Sequence, residues 1–264
     1  MKVVNVKKVM KVHFQYVHCL LYLQYLHAHA FCSSQLFQRD PTSLRFAELR
    51  RAGPFFHSTC MHFVVLSSSK GTTFQAVLDA LKDGSLHATC AGLITDRADR
   101  GCLSKAKAAG LPSIVLTEDP FRDRIAFEKG LDEAVRGLFE RAGARAGQEL
   151  IAAIGWMWIL SPEFIEKWKN RIINVHPALL PTFGGEGMYG LHVHEAVLKA
   201  GEKESGVTFH LIDSGIDTGK ILLQKRCAVE RGDTPATLQK RVQALEKEWY
   251  PKVLQMIDEG VLKV

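Results

Sequence analysis

HFVVLSSSKGTTFQAVLDAL, residues 62 to 81, decides the architecture. His62 to Leu66 is a short apolar run suited to a buried strand, and the polar residues Ser67 to Thr73 end it. Phe74, Val77, Leu78 and Leu81 then recur at helical spacing, so the order is strand, loop, helix. The unit repeats downstream. Cys90 to Ile94, Ser113 to Leu116, Leu150 to Ile154 and Ile172 to Val175 read as strands. Leu103 to Ala109, Ile125 to Leu138 and Pro162 to Trp168, which opens with proline, read as the helices between them. Alternation over this length predicts a mostly parallel open sheet with helices on both faces, whose ligands bind beyond the C-terminal ends of the strands. The tail differs. After a helix near Val193 to Lys199, the runs Gly206 to Ile212 and Lys220 to Ala228 predict an antiparallel pair around the turn at Asp213 to Gly219. Thr234 to Ile257 predicts a closing helix, interrupted or kinked at Pro251.

Composition narrows the function. The 264 residues are 47% hydrophobic and 23% charged, enough for one sizeable core and unlike a fibrous or wholly disordered chain. The net charge of +6 lies entirely in residues 1 to 60, with eight Lys/Arg against two Asp/Glu; the rest is balanced, 26 against 26. A neutral body gives no clustered basic surface for a phosphate backbone, so no nucleic-acid partner is expected. No apolar stretch reaches 18 residues, so no membrane span is expected either. The six cysteines form no CxxC pair and no zinc-ligand spacing, which points to a reducing compartment without a disulfide framework.

Residues 1 to 60 differ in kind from the rest. They hold five of the eleven histidines and lack a core periodicity. They are expected to be a disordered extension or a stretch upstream of the functional start at Met61, with residues 61 to 264 forming the one folded domain. The expected location is the cytoplasm. An organellar address in the acid-poor first 60 residues is the alternative.

Three stretches could carry chemistry. Small residues in the loop SSSKGTT would let backbone N–H groups approach an anion at a helix N-terminus, although it is neither a P-loop nor a dinucleotide fingerprint. Its bland alternative is a solvated turn capped by Thr72 or Thr73. In RIINVHPALLP, residues 171 to 181, Asn174 and His176 lie two apart at a strand end and share a face. An amide and an imidazole there suit a carbonyl oxygen becoming an oxyanion. Asp217, between Gly215 and Gly219, would be aimed inward by the backbone freedom of those two glycines; their bland reading is a tight hairpin. His192 and His194 are wrongly spaced for one helix face, so no metal is expected. Trp156, Met157 and Trp158 would pack at the rim or wall a flat heteroaromatic ligand.

Taken in order, these residues resemble glycinamide ribonucleotide formyltransferases, over about residues 62 to 257. The most specific motifs are NVHPALLP at 174 to 181, SGVTFHLIDSGIDTGKILLQ at 205 to 224 and LEKEWYP at 245 to 251, with GWMWILSPEF at 155 to 164 as a folate loop. The resemblance implies a Rossmann-like, formyltransferase-like sheet and direct, metal-free transfer of a formyl group from the co-substrate 10-formyltetrahydrofolate to the amine of glycinamide ribonucleotide, both small molecules. It implies Asn174, His176 and Asp217 as the catalytic trio. Gly71, Thr72, Thr73 and Gln243 would hold the ribonucleotide phosphate, and Glu246 would meet its amine. Met157, Trp158, Ile159 and Leu160 would line the pterin pocket. The chain departs from the family at Ser69, where a glycine is usual, and at Trp158, where many relatives have arginine. FGGEGMYG at 183 to 190 matches one branch only and is expected to do no more than shape the entrance.

The alternatives within the family are the transfer RNA enzyme, which carries a further C-terminal domain, and the deformylase, which has a regulatory domain ahead of the catalytic one. A non-catalytic binding module on the same fold is a different class, and retention of the whole trio argues against it. The composition break at Met61 generates a test: a chain starting at Met61 should be as soluble and as active as the full chain. Insolubility or lost turnover would place the first 60 residues in the catalytic unit.

Overall fold

The computed structural model describes residues 60–116 and 121–264; the expected extension, apart from Cys60, lies outside them. The first strand, β1 (His62–Leu66), is buried on both faces. Its alternation sends Phe63 and Val65 into one core layer and Val64 and Leu66 into the other. Such a strand has to lie inside a sheet covered by helices on both sides.

The chain continues α1 (Thr72–Asp83), β2 (Thr89–Thr95), α2 (Gly101–Ala108), β3 (Ser113–Val115), α3 (Arg124–Ala142), β4 (Glu149–Ala153), α4 (Pro162–Lys167) and β5 (Ile172–His176). It ends with α5 (Leu191–Lys199), β6 (Glu204–Leu211), β7 (Ile221–Ala228) and α6 (Pro235–Asp258). The sheet order is β3-β2-β1-β4-β5-β6-β7. The first five strands are parallel. β6 and β7 are antiparallel, with Asn174 opposite His210 and His176 opposite Thr208. The strand order reverses at β1, between β2 and β4, so the loops leaving β1 and β4 flank the crevice where such sheets bind ligands.

One layer packs α1 and α6 against the sheet, with Phe74, Val77, Val242, Tyr250 and Leu254 in its core. The other packs α3 and α4, with Leu131, Val135, Phe139 and Trp168. Helix starts follow local chemistry. Ser161 caps α4 by accepting from the Phe164 N–H, with Pro162 in the first turn, and Thr234 and Thr237 form a capping box at α6.

Of the expected interruption or kink at Pro251, the interruption does not occur: α6 is helical from Pro235 to Asp258 through it. Proline removes one N–H from the ladder and costs up to about 3 kcal/mol in a helix interior. Tyr250, Pro251, Val253 and Leu254 are all buried, so this part of the helix is held by packing that outweighs one lost bond. Tyr250 also donates its hydroxyl to the Ala153 carbonyl at 3.1 Å and meets Phe209 edge-on. Tyr250→Phe should therefore cost about 1 kcal/mol, the net contribution of one buried hydrogen bond. Urea unfolding should show this as a lower midpoint with an unchanged slope.

Candidate active site

The site begins where β1 ends. Gly71 has φ +73°, and a Cβ there would lie 2.8 Å from the Cys102 backbone, so both conformation and space demand glycine. α1 follows with no side-chain cap. Neither Thr72 nor Thr73 closes the helix N-terminus, which leaves its positive end without a side-chain acceptor. Ser69, the departure from the usual glycine, turns its hydroxyl inward: Oγ accepts from the Gly71 N–H at 3.0 Å and lies 3.0 Å from Ser67 Oγ.

Thr73 instead donates its hydroxyl to Glu246 Oε2 at 3.3 Å, which brings α6 to the start of α1. Burial pushes the Glu246 carboxyl up to about 7, against the opposing pull of the Thr73 hydroxyl and the Lys247 charge. Gln243, half-buried, stands three residues earlier on the same helix. The ribonucleotide-side residues expected from the sequence thus gather on two touching helices.

The loop after β4 lies alongside. The Ser68 N–H donates to the Gly155 carbonyl at 3.0 Å, and a Cβ on Gly155 would lie 2.9 Å from Ser69 Cβ. Beyond it the side chains alternate. Met157 and Ile159 are exposed, whereas Leu160 enters the core beside Phe164. Trp158 turns to Asp96, donating its indole N–H to Oδ2 at 3.2 Å, with Phe121 against its ring. Burial disfavours charge on Asp96, but the two-pronged Arg100 contact and the indole hold its carboxyl below the ordinary value. Of the four residues expected to line a pterin pocket, Met157 and Ile159 are exposed, Trp158 is half-buried and Leu160 is buried.

Asn174 and His176 end β5 as expected, and Asp217 meets the second of them: His176 Nδ1 lies 3.3 Å from Asp217 Oδ2. The reason for its orientation differs from the expectation. Gly215 and Gly219 do not adopt left-handed backbone; Asp217 itself does, at φ +59°. The glycines are there for space, since a side chain on Gly215 would strike Thr218 and one on Gly219 the Leu211 carbonyl. Asp213 ties the turn by accepting from the Gly215 N–H at 3.1 Å and from Thr218 Oγ1 at 2.6 Å.

His210 is a member of the cluster that the sequence reading missed. Its Nδ1 donates to the Leu211 carbonyl at 2.9 Å, so Nε2 is the acceptor for the Asn174 amide at 3.3 Å. Burial lowers its pKa, and it lies 3.7 Å from Asp217 Oδ1. Strand register alone puts His210 opposite Asn174, and the spacing of Thr208 and His210 within β6 was the only available signal. His192 and His194 part company. His192 is exposed beside Glu195 and Tyr189. His194 is buried, with Nδ1 unpartnered among the described residues and its pKa pushed down to about 4 by burial and then by the His176 charge. No group of three or more His, Cys, Asp or Glu side chains placed to hold a metal ion occurs among the described residues.

An acid, two imidazoles and an amide, enclosed at the end of a parallel strand, can hold an oxyanion and relay a proton. The sequence profile of the formyl transferase family matches residues 61–254. The phosphoribosylglycinamide formyltransferase of Bacillus subtilis is 33% identical over 195 residues, covering 74% of this chain and 93% of that protein. The trifunctional purine biosynthetic protein adenosine-3 of Bos taurus is 34% identical over 200 residues; the match covers 76% of this chain and 18% of that longer protein. The crystal structure of glycinamide ribonucleotide transformylase 1 from Symbiobacterium toebii superposes with a TM-score of 0.70 at 32% identity, over 80% of this chain and 94% of that one. With its strand order, its buried acid and histidine pair and this extent of likeness, the chain belongs to the formyl transferase family, alongside the phosphoribosylglycinamide formyltransferases.

Proposed function

We propose that residues 61 to 264 transfer the formyl group of 10-formyltetrahydrofolate to the amine of glycinamide ribonucleotide, as in purine synthesis. The observation that carries this reading is the meeting of Asn174, His176 and Asp217 at one strand end, with Glu246 on the neighbouring helix pair. The uncapped start of α1 suits a phosphate, with Thr72 and Thr73 offering backbone N–H groups, the close backbone approach at Gly71 leaving room for the anion, and Gln243 standing nearby. Glu246 suits an amine. The loop from Met157 to Leu160 suits the pterin through its backbone, with Trp158 anchored away on Asp96.

In the reaction, a C–N bond forms between the amine and the formyl carbon, and the bond from that carbon to the folate nitrogen breaks. Asn174 has two amide hydrogens and gives one to His210, so the second serves the formyl oxygen as charge builds on it. His176 adds positive potential beside that oxygen. Asp217 orients His176 and carries, through water, the proton that leaves the amine and ends on the departing nitrogen.

Asp217→Asn preserves size and removes the charge. It should lower kcat roughly a hundredfold or more while both ligands bind within about twofold of the unmutated protein. Normal turnover would take the carboxylate out of the mechanism. In the unmutated protein, tetrahydrofolate should form only when the ribonucleotide is supplied, whereas rapid formate release without it would make the protein a hydrolase.

Glu246 supplies a pH test. Its folded pKa of about 7 lies above the ordinary carboxylate value, so it is neutral in the free protein below about pH 7 and anionic above. Binding a cationic amine requires the anion; ribonucleotide affinity should therefore fall as pH drops from 8 to 6, and Glu246→Gln should flatten that dependence in a titration. Stability runs the other way. An acid whose pKa is raised by folding stabilises least at high pH, so Glu246→Gln should melt above the unmutated protein at pH 8 and converge with it toward pH 5.

A further inference from the structure

We propose that Phe183, Gly184 and Gly185, which open the glycine-rich stretch between β5 and α5, are positioning residues whose backbone sets the orientation of the His176–Asp217 pair. Its catalytic consequence rests on the formyl-transfer reading above, and the contacts themselves do not. The Phe183 carbonyl lies 2.7 Å from His176 Nε2. A carbonyl oxygen only accepts, so Nε2 carries hydrogen and Nδ1 is left facing Asp217. Two residues on, the Gly185 N–H donates to Asp217 Oδ2 at 3.1 Å. That is the same oxygen that faces His176 Nδ1, at the longer distance of 3.3 Å. The ring and the carboxylate are thus each held more closely by this backbone than by one another.

Space supports the same reading. A Cβ on Gly184 would lie 2.5 Å from Leu180 Cδ2 and 3.2 Å from Asp217 Cβ, so the segment is seated directly on the acid. Phe183 at φ +57° and Gly185 at φ +97° flank it in left-handed backbone, and Asp217 is left-handed too. Backbone of that kind persists only where its surroundings over-determine it. The approach to the segment is fixed from below. Leu180 N–H donates to Thr208 Oγ1 at 3.0 Å, and Gln224 donates to the Leu180 carbonyl at 2.8 Å. His176 and Asp217 side chains are only 4% and 13% exposed, so water has little room to replace either backbone partner.

The test uses the full chain. With [15N]histidine labelling, His176 should show a hydrogen-bonded, slowly exchanging Nε2 proton, assigned by its loss in His176→Gln. Gly184 is outside the left-handed region, so Gly184→Ala leaves the backbone permitted and pushes only on Leu180 and Asp217. It should shift or broaden that proton signal and lower kcat tenfold or more, with both KM values within about twofold and the melting temperature unchanged. Glu186→Ala, an exposed change in the same loop, should alter none of these. Leu180→Val added to Gly184→Ala relieves the Leu180 contact alone and should not restore kcat. Unchanged kcat in Gly184→Ala, or full rescue by Leu180→Val, overturns the proposal, as does an unprotonated or freely exchanging Nε2 in the unmutated protein. If the unmutated protein transfers no formyl group, the functional reading fails, and the histidine signal alone still decides whether the clamp exists.

Discussion

One backbone hydrogen bond, from the Ser68 N–H to the Gly155 carbonyl, fastens together the loops that leave β1 and β4. Those strands are neighbours because the sheet reverses its order at β1, and their loops would otherwise diverge to opposite faces. Gly155 can approach so closely only because it lacks a side chain to strike Ser69. The loops after β1 and β4 consequently share a wall, and neither could shift its path without displacing the other.

The second half of the site has a different origin. Asn174 and His176 are fixed by β5, but their partners arrive from the antiparallel addition: His210 by register, Asp217 by the turn beyond β6. Thr208, opposite His176, ties the loop after β5 by bonding both Ala178 and Leu180. Most of this cluster is buried, and low solvation governs its protonation. His194 and His210 are both held below the ordinary histidine value, in each case chiefly by burial.

Much of this was legible in the residues, for definite reasons. Hydrophobic period distinguishes strand from helix, and short apolar runs alternating with amphipathic ones leave few options besides a parallel sheet. Asn174 and His176 were legible because period two places them on one face. His210 was not, because its place opposite Asn174 depends on the β5–β6 register, and those strands are joined by the long connection through α5, whose path no propensity fixes. The role of Gly215 and Gly219 was misjudged for a related reason: a glycine in a sequence does not reveal whether it supplies an unusual dihedral or merely room, and here the dihedral fell on Asp217. Pro251 does not interrupt α6, because the helix is anchored there by a buried face.

Glu246 and Tyr250 sit four residues apart on α6, hence one turn apart on the same side of the helix. The acid reaches the start of α1, and the phenol reaches the end of β4 under the floor of the crevice. Rotating or sliding the helix to move Glu246 would draw a buried aromatic ring out of the core, at the cost of several kcal/mol. The helix therefore works as a ruler with one end set in the foundation: the carboxylate can change its proton, but not its address.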